Sequence, residues 1–197
     1  MSTITRTRRF LASLGAVTAV AGAVVAGAPA AQAAPAAPTA PTAQAGACDF
    51  SPSVTGMAAV NNGSGAGALD LYHGVEANGQ PIIVWTANQS PAQTWTFWKY
   101  CDGTTAISHG QSKVIDLDTG SGTVRLWDTP GGLDGLNQPN GDWMPASQKW
   151  LLTDNDQGWY LIHSAAVGQC LTSNGAGQSI GMTACDTADP AQRWLLG

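Results

Sequence analysis

Charged residues are scarce in this chain of 197 residues. They make up 11% of the sequence, and Glu76 is the single glutamate among 13 acidic residues. The long runs of Glu, Lys and Leu that favour helices are missing. Gly, Asn, Ser, Thr and Asp recur every few residues instead, and the chain contains 8 Trp. This composition argues against a helical protein and is typical of an all-β protein with many short strands.

Basic residues are especially few beyond the N-terminus. Arg6, Arg8 and Arg9 lie in the first nine residues, so that five Lys and Arg face thirteen Asp and Glu in the remainder. The resulting net charge of −8 repels phosphate groups. We therefore expect no nucleic acid partner and no attraction to an anionic membrane surface.

Recognisable catalytic and metal-binding patterns are also missing. His73, His109 and His163 do not have metal-ligand spacing, and no Ser/His/Asp or Cys/His arrangement has supporting local sequence. A glycosidase needs two carboxylates that flank the scissile bond. Asp116 and Asp118 share a strand face, but this spacing is common by chance. The sequence therefore predicts no catalytic residue, no metal and no cofactor.

The N-terminal segment has the pattern of an export signal. The arginines precede an apolar run rich in Ala, Val and Gly, and residues 31–33 (Ala-Gln-Ala) suit cleavage. Residues 1–33 are therefore predicted to be a secretory signal peptide rather than a membrane anchor, with the Sec and twin-arginine routes both open. Residues 34–47 contain only Ala, Pro, Thr, Gln and Gly, which predicts a disordered linker. This leaves residues 48–197 as one domain of a secreted, extracellular protein without membrane insertion.

A Gln-x-Trp motif occurs three times. It consists of Gln93 and Trp95, then Gln148 and Trp150, then Gln192 and Trp194. Upstream of the motifs, residues 68–87, 114–129 and 170–185 each read as a strand, a Gly-rich turn and a second strand. This repetition predicts three copies of one structural unit, with the motif tryptophans in the core.

The alternation of apolar and polar residues predicts which side chains face that core. The predicted core face comprises Leu69, Leu71, Ile82 and Val84 in the first copy, Ile115, Leu117, Val124 and Leu126 in the second, and Leu171, Ile180 and Met182 in the third. The opposite face comprises Asp70, Ile83 and Trp85, then Asp116, Arg125 and Trp127, then Thr172, Gly181 and Thr183. Two hairpins thus carry an Asp beside a Trp, and the third carries neither.

The cysteines agree with this alignment. The positions of Cys170 and Cys185 are occupied by Val114 and Thr129 in the second copy, and by Ala68 and Ala87 in the first. Both cysteines are thus present together or absent together, as expected of a disulfide, and an exported protein permits one. Cys48 and Cys101 remain as a second predicted pair, although four cysteines allow three connectivities.

An exposed Asp and Trp together can hold a sugar ring. A carboxylate accepts hydrogen bonds from two adjacent hydroxyls, and an indole offers a wide apolar surface to the C–H face of the ring. The three repeated units of this chain, each ending in Gln-x-Trp, resemble the ricin-B-type β-trefoil lectins, a group that includes carbohydrate-binding modules of secreted xylanases. The resemblance implies a β-trefoil with pseudo-threefold symmetry: twelve strands, a six-stranded barrel capped by three hairpins, and up to three shallow sugar sites.

The resemblance also implies which residues bind the sugar. The site carboxylate of the family corresponds to Asp70 and Asp116, and its stacking aromatic to Trp85 and Trp127. Ile83 and Arg125 replace a family Gln, and Ala92, Ser147 and Ala191 replace a family Asn before each motif. The candidate carbohydrate-binding residues are therefore Asp70, Trp85, Gln93, Asp116, Arg125, Trp127 and Gln148, with the two glutamines helping to orient the ligand. The third copy is expected to be inactive.

Other interpretations of these residues stay open. Asp70 and Asp116 could instead brace the turns that follow them, and Trp85 and Trp127 could be packing residues. A long insertion at residues 130–146, anchored by its Trp and Met, could lie over the second site and either block or enlarge it.

The sequence thus predicts a secreted, non-catalytic domain that binds an oligo- or polysaccharide through one or two hairpin sites. Two alternatives are a β-trefoil module or inhibitor that binds a protein partner, and a small secreted polysaccharide hydrolase.

Overall fold

The structure is a computed structural model that describes residues 53–58, 60–65, 67–155 and 157–196. The predicted signal peptide, the predicted linker and Cys48 lie outside the described residues. The described strands are β1 (Ser53–Ala58), β2 (Val60–Asn62), β3 (Gly67–Leu71), β4 (Gln80–Trp85), β5 (Trp95–Lys99), β6 (Thr105–His109), β7 (Lys113–Asp118), β8 (Thr123–Asp128), β9 (Trp150–Asp154), β10 (Trp159–Ser164), β11 (Cys170–Thr172), β12 (Gly181–Thr183) and β13 (Trp194–Leu196). They are accompanied by one short helix, α1 (Gly132–Leu136), and by 3-10 turns at Tyr72–Gly74, Pro91–Gln93, Ala146–Gln148 and Pro190–Gln192. In this part of the chain no helix is long and apolar enough to cross a membrane.

The strand pairing repeats three times. The first strand of a repeat pairs with the last strand of its own repeat and with the last strand of the preceding one: β6 pairs with β9 and β5, and β10 with β13 and β9. In the first repeat β1 pairs with β5 and β2 with β13, so these two short strands share one role. All of these pairs are antiparallel and they close a six-stranded barrel. The predicted all-β trefoil is confirmed, with thirteen strands in the described residues rather than twelve because the first is divided.

Three hairpins cap the barrel. They are β3–β4, β7–β8 and β11–β12. The first hairpin contacts both of the others, since Gln80 pairs with Leu126 and Ile83 with Ser179. The first hairpin therefore lies against both neighbouring repeats, and a site on it can include residues from another hairpin.

The core lies inside the barrel and beneath the hairpins. The predicted core positions of all three repeats are buried, with Met182 partly buried against them, so the predicted alternation is confirmed. Trp95, Trp150 and Trp194 are fully buried. Their indole Nε1 atoms donate to the carbonyl oxygens of Leu69, Ile115 and Leu171 at 3.0, 3.1 and 3.1 Å. The same bond thus joins the last strand of every repeat to its hairpin.

The insertion at residues 130–146 packs on the outside of the barrel. Leu136 and Met144 are buried against Trp98 and Ala106, and Trp143 packs against the same cluster. The expected anchoring role of Trp143 and Met144 is thus confirmed. The expectation that the insertion covers the second site is wrong for its apolar side chains, which pack on Trp98, Tyr100 and Ala106 instead. Only Pro130 and Pro145, at its ends, line the second-repeat pocket described below.

The predicted disulfide between Cys170 and Cys185 is present, with the Cα atoms 5.0 Å apart. Cys101 is also disulfide-bonded. Its pairing with Cys48 stays a prediction, since Cys48 is not among the described residues.

Candidate functional site

The hairpin register brings each predicted Asp and Trp together. Asp70 lies opposite Ile83, and Trp85 lies opposite Ala68, two positions along the strand. Asp116 and Trp127 have the same relation in the second repeat, with Arg125 opposite Asp116. Side chains at such diagonal positions share one face of the sheet and lie within reach of one another.

The first-repeat pocket is a cavity of about 550 Å³ whose lining includes Asp70, Tyr72, Trp85, Asn88 and Ser90. Trp85 and Tyr72 are 48% and 41% exposed. A Cβ at Gly177, in the third hairpin, would lie 3.3 Å from the Trp85 ring. This glycine has φ +79°, so the neighbouring repeat supports one edge of an otherwise open indole.

Asp70 is 6% exposed rather than exposed as expected from the sequence. Gln93 donates from Nε2 to Asp70 Oδ2 at 2.9 Å. Among the described residues no group donates a hydrogen bond to Oδ1. Burial raises the pKa of Asp70 above its ordinary value of 3.8, while the Gln93 hydrogen bond and the charge of His109 act in the opposite direction. The pocket therefore contains a held carboxylate with one available oxygen.

The motif glutamines orient protein groups rather than face solvent. Gln93, Gln148 and Gln192 are at most 2% exposed. Each donates from Nε2 at 2.9 Å to a backbone carbonyl oxygen, that of Thr86, Asp128 or Ala184. These three residues are equivalent, because each directly follows Trp85 or its counterpart in the repeat. The expected role of Gln93 and Gln148 in orienting the ligand stays a prediction. In the first repeat Gln93 would act through Asp70, to which it donates a hydrogen bond.

The second-repeat pocket is smaller, about 340 Å³. The Arg125 side chain contacts both the Asp116 carboxylate and the Trp127 ring in this pocket. Arg125 donates from Nε to Asp116 Oδ2 at 3.1 Å and from a terminal nitrogen to Asp118 Oδ2 at 2.8 Å. Its guanidinium carbon lies 4.1 Å from the centroid of the Trp127 ring, a cation–π contact. Ser147, which replaces the family Asn, donates to Asp116 Oδ1 at 2.9 Å. Asp116 is 5% exposed, so the expectation of an exposed carboxylate is wrong here too.

The third hairpin has neither a carboxylate nor an indole at these positions. Thr172 and Thr183 contact each other through their hydroxyls at 2.7 Å, and Gln192 donates to Thr183 Oγ1. Its expected inactivity stays a prediction. The sulfurs of Cys170 and Cys185 lie close to a nitrogen of His163, but they are joined in the disulfide and are not free to bind a metal.

Sequence reasoning missed Glu76 and His109, which also line the first-repeat pocket. His109 Nδ1 lies 3.0 Å from Glu76 Oε1, and His109 Nε2 lies 3.0 Å from the carbonyl oxygen of Pro91. His109 lies on β6, the first strand of the second repeat, and reaches the pocket because β6 pairs with β5. No motif within one repeat signals a residue that the next repeat supplies.

Comparison with known proteins gives similar folds and one family. The ricin-type β-trefoil lectin domain matches residues 62–194. Nigrin b of Sambucus nigra is 27% identical over 157 residues, which are 65% of this chain and 28% of Nigrin b. The chain thus spans under a third of that relative.

Two solved structures have the same fold. The designed threefold-symmetric protein ThreeFoil has a TM-score of 0.59 at 19% identity, over 71% of this chain and 96% of its own. SeviL, solved with asialo-GM1 saccharide, has a TM-score of 0.53 at 18% identity, over 72% of this chain and 96% of its own. The threefold pairing, the repeated Gln-x-Trp geometry and the match over residues 62–194 lead to one conclusion: this chain belongs to the ricin-type β-trefoil lectin domain family.

Proposed function

We propose that this protein binds carbohydrate without cleaving it, and that the first-repeat pocket is its binding site. One observation carries the proposal. Asp70, whose Oδ1 accepts no hydrogen bond from the described residues, lines the same open cavity as the exposed indole of Trp85. These two groups match the hydroxyls and the apolar face of one sugar ring.

Asp70 supplies the directional contact. Gln93 holds Oδ2, so the carboxylate is fixed before a ligand arrives and Oδ1 accepts from a sugar hydroxyl. A hydrogen bond to a charged acceptor is roughly twice as strong as one between neutral groups. Because Asp70 is already buried, the ligand does not have to remove much water from the carboxylate.

Trp85 and Tyr72 supply the apolar contact. Both rings are exposed, and a pyranose that covers an indole releases water from both surfaces. An open site leaves the other side of the ring in water, so we expect a millimolar Kd for a monosaccharide, or roughly 4 kcal/mol of binding free energy.

Comparison with relatives supports the same function. The family is a lectin domain family, and SeviL was solved with a bound saccharide. We also propose that the protein is secreted and acts outside the cell, on the evidence of residues 1–33. The disulfide between Cys170 and Cys185 fits an oxidising compartment.

Hydrolysis is the less favoured function. The two carboxylates of the pocket each have one oxygen held by a protein side chain, Asp70 by Gln93 and Glu76 by His109, whereas a glycosidase needs two carboxylates free to act on one bond. Release of reducing sugar from a polysaccharide by the purified protein would contradict a purely binding role.

A protein partner is the second candidate function. It is favoured by Arg125, which occupies the second-repeat pocket, and by the two threonines of the third hairpin. If this function is correct, a glycan array remains blank while the purified protein retains a specific protein from the culture supernatant.

The direct test is a glycan array with the wild-type protein, Trp85→Ala and Trp127→Ala. We expect the Trp85→Ala variant to lose the wild-type signals and the Trp127→Ala variant to keep them. The two substitutions remove the same side chain from equivalent positions, so each is a control for the other. Equal signals for all three proteins would exclude the first-repeat pocket as the site.

A further inference from the structure

A second cavity, of about 570 Å³, adjoins the first-repeat pocket. The two cavities share Glu76, Pro91 and His109 in their linings. We propose that they form one cleft with two subsites, and that its ligand is a neutral oligosaccharide of at least two residues. The proposal rests on the proposed function and adds a second subsite, which holds the next sugar of the chain.

The shared wall is held in place by hydrogen bonds. The two ring nitrogens of His109 contact Glu76 and the Pro91 carbonyl, each at 3.0 Å. His109 is itself buried and contacts the Trp95 ring edge-on at 5.1 Å. The wall is thus attached to the barrel core and is present before a ligand binds.

Glu76 can contact a ligand from this wall. Its side chain is 50% exposed, and no described residue donates a hydrogen bond to its Oε2. A Cβ at Gly110 would lie 2.9 Å from that oxygen, and Gly110 has φ +63°. Glycine therefore allows the carboxylate to lie close against the turn between β6 and β7, on the border of both cavities.

The second cavity is lined by uncharged polar groups. Beyond the shared wall its lining comprises Gln89, Thr94, Thr96, Gly110 and Gln111. Amides and hydroxyls both donate and accept hydrogen bonds, as sugar hydroxyls require. This lining contains no aromatic platform, so the second subsite is expected to bind by hydrogen bonds and more weakly than the first.

Backbone strain marks both subsites. Among the described residues, the non-glycine residues with positive φ are His73 at 57° and Gln89 at 58°. His73 lines the first cavity and Gln89 the second. Left-handed backbone is uncommon outside glycine and clusters at ligand sites.

The charge of the cleft selects the ligand class. Its lining contains Asp70 and Glu76 but neither Lys nor Arg, and the His109 imidazole already contacts Glu76. A uronic acid, sialic acid or sulfated sugar would bring a like charge to these carboxylates. Neutral sugars avoid this repulsion and can donate hydroxyls to both.

The test is isothermal titration with soluble xylo-, cello-, chito- and galacto-oligosaccharides of one to four residues. In the series that binds, we expect the affinity to rise about tenfold between one and two residues and then level off, the change that one or two net hydrogen bonds produce. The double variant Thr96→Val, Gln111→Ala should lose this rise and keep the wild-type monosaccharide affinity. Gln157→Ala, which removes an exposed glutamine outside both linings, is the matched control.

The outcomes separate the two proposals. If trisaccharide and monosaccharide bind equally well to the wild-type protein, or if the double variant keeps the rise, the second subsite is overturned and the first-repeat site stands. If no probe of any length binds, both proposals fail. Loss of monosaccharide binding in the double variant would also count against two separable subsites.

Discussion

The first- and second-repeat pockets have the same Asp and Trp on the same strands, and one residue makes them different. Opposite the Asp, the first repeat has Ile83 and the second has Arg125. The isoleucine side chain is apolar and buried, and it leaves the carboxylate and the indole available. The arginine binds the carboxylate and stacks on the indole, which is 36% exposed against 48% for Trp85.

The contacts of Arg125 imitate those proposed for a sugar. Its N–H groups donate to Asp116 and Asp118, and its planar guanidinium stacks on Trp127. A ligand at this pocket would have to displace a charged group from a nearly buried carboxylate, and breaking such a pair is costly. The presence of an Asp and a Trp at these positions of a repeat is therefore not sufficient for an open site.

The largest effect is expected from Trp85→Ala. Removal of the proposed stacking platform should weaken sugar binding about 30-fold or more, as the loss of a central aromatic does at other binding sites. Trp127→Ala should change the affinity by less than about 2-fold, because Arg125 already stacks on that ring and binds the Asp116 carboxylate. Titration calorimetry gives both values, and a larger loss for Trp127→Ala would reverse the comparison.

Arg125→Ile places the first-repeat residue in the second pocket. It should free the Asp116 carboxylate and the Trp127 ring, so that the number of sites in titration rises from one to two. Retention on an immobilised polysaccharide should rise about tenfold or more through avidity. The variant Lys149→Ala, which removes a cation paired with Asp102 outside this pocket, is the charge-matched control. An unchanged number of sites would mean that Arg125 is not what closes the pocket.

Acidification should affect the first-repeat pocket before the second-repeat pocket. Burial raises the pKa of Asp70 above 3.8, whereas the Gly120 and Ser121 hydrogen bonds and Arg125 lower the pKa of Asp118 below it. As the pH falls, Asp70 is protonated first, and sugar binding at the first pocket should fall by up to about tenfold per pH unit below its pKa. The Arg125–Asp118 pair persists to lower pH. Titration of wild-type protein and Asp70→Asn between pH 7 and pH 3 checks this, since the variant should bind weakly at every pH.

This loss of binding is not unfolding. A raised pKa in the folded state means that the ionised Asp70 costs stability at neutral pH and that this cost disappears as the pH falls through the raised pKa. Asp118 acts in the opposite sense, because its contribution to stability is present above 3.8 and is lost as the pH falls through its lowered pKa. Thermal melting over the same pH range should therefore show a stable fold where binding has already decreased.

The smallest effect concerns the motif glutamines. Gln93 accepts a hydrogen bond from the Asn88 amide and donates to Asp70 and Thr86, whereas Gln148 Oε1 has no partner among the described residues. Gln93→Ala should therefore lower the free energy of unfolding by about 1 kcal/mol more than Gln148→Ala. Urea denaturation measures the difference, and equal losses would show that the extra hydrogen bonds of Gln93 do not contribute to the free energy of unfolding.

Much of the architecture could be predicted because its signals are local. The alternation within each hairpin follows from the geometry of a strand, which turns successive side chains to opposite faces. The three Gln-x-Trp motifs predicted three repeats, and the joint presence of Cys170 and Cys185 predicted their disulfide. Each of these needs only residues that are near in sequence or aligned between repeats.

The state of each site could not be predicted in the same way. The alternation placed Arg125 on one face with Asp116 and Trp127, but the length and rotamer of the arginine decide whether it reaches both. The burial of Asp70 and the position of Gln93 beneath it depend on how the 3-10 turn at Pro91–Gln93 packs on β3. Sequence patterns give the face of a side chain and not its partners.

The sequence by itself determined an all-β chain of three related units, the residues of its core, and two hairpins that each carry an Asp and a Trp. Only the tertiary structure decided that one of these pairs is open and the other is occupied by Arg125. It alone also brought His109 of the second repeat to Glu76 and Pro91 of the first. The physical reason is that periodicity acts along the chain, whereas hydrogen bonds, ion pairs and cavities form between side chains that only the closed barrel brings together.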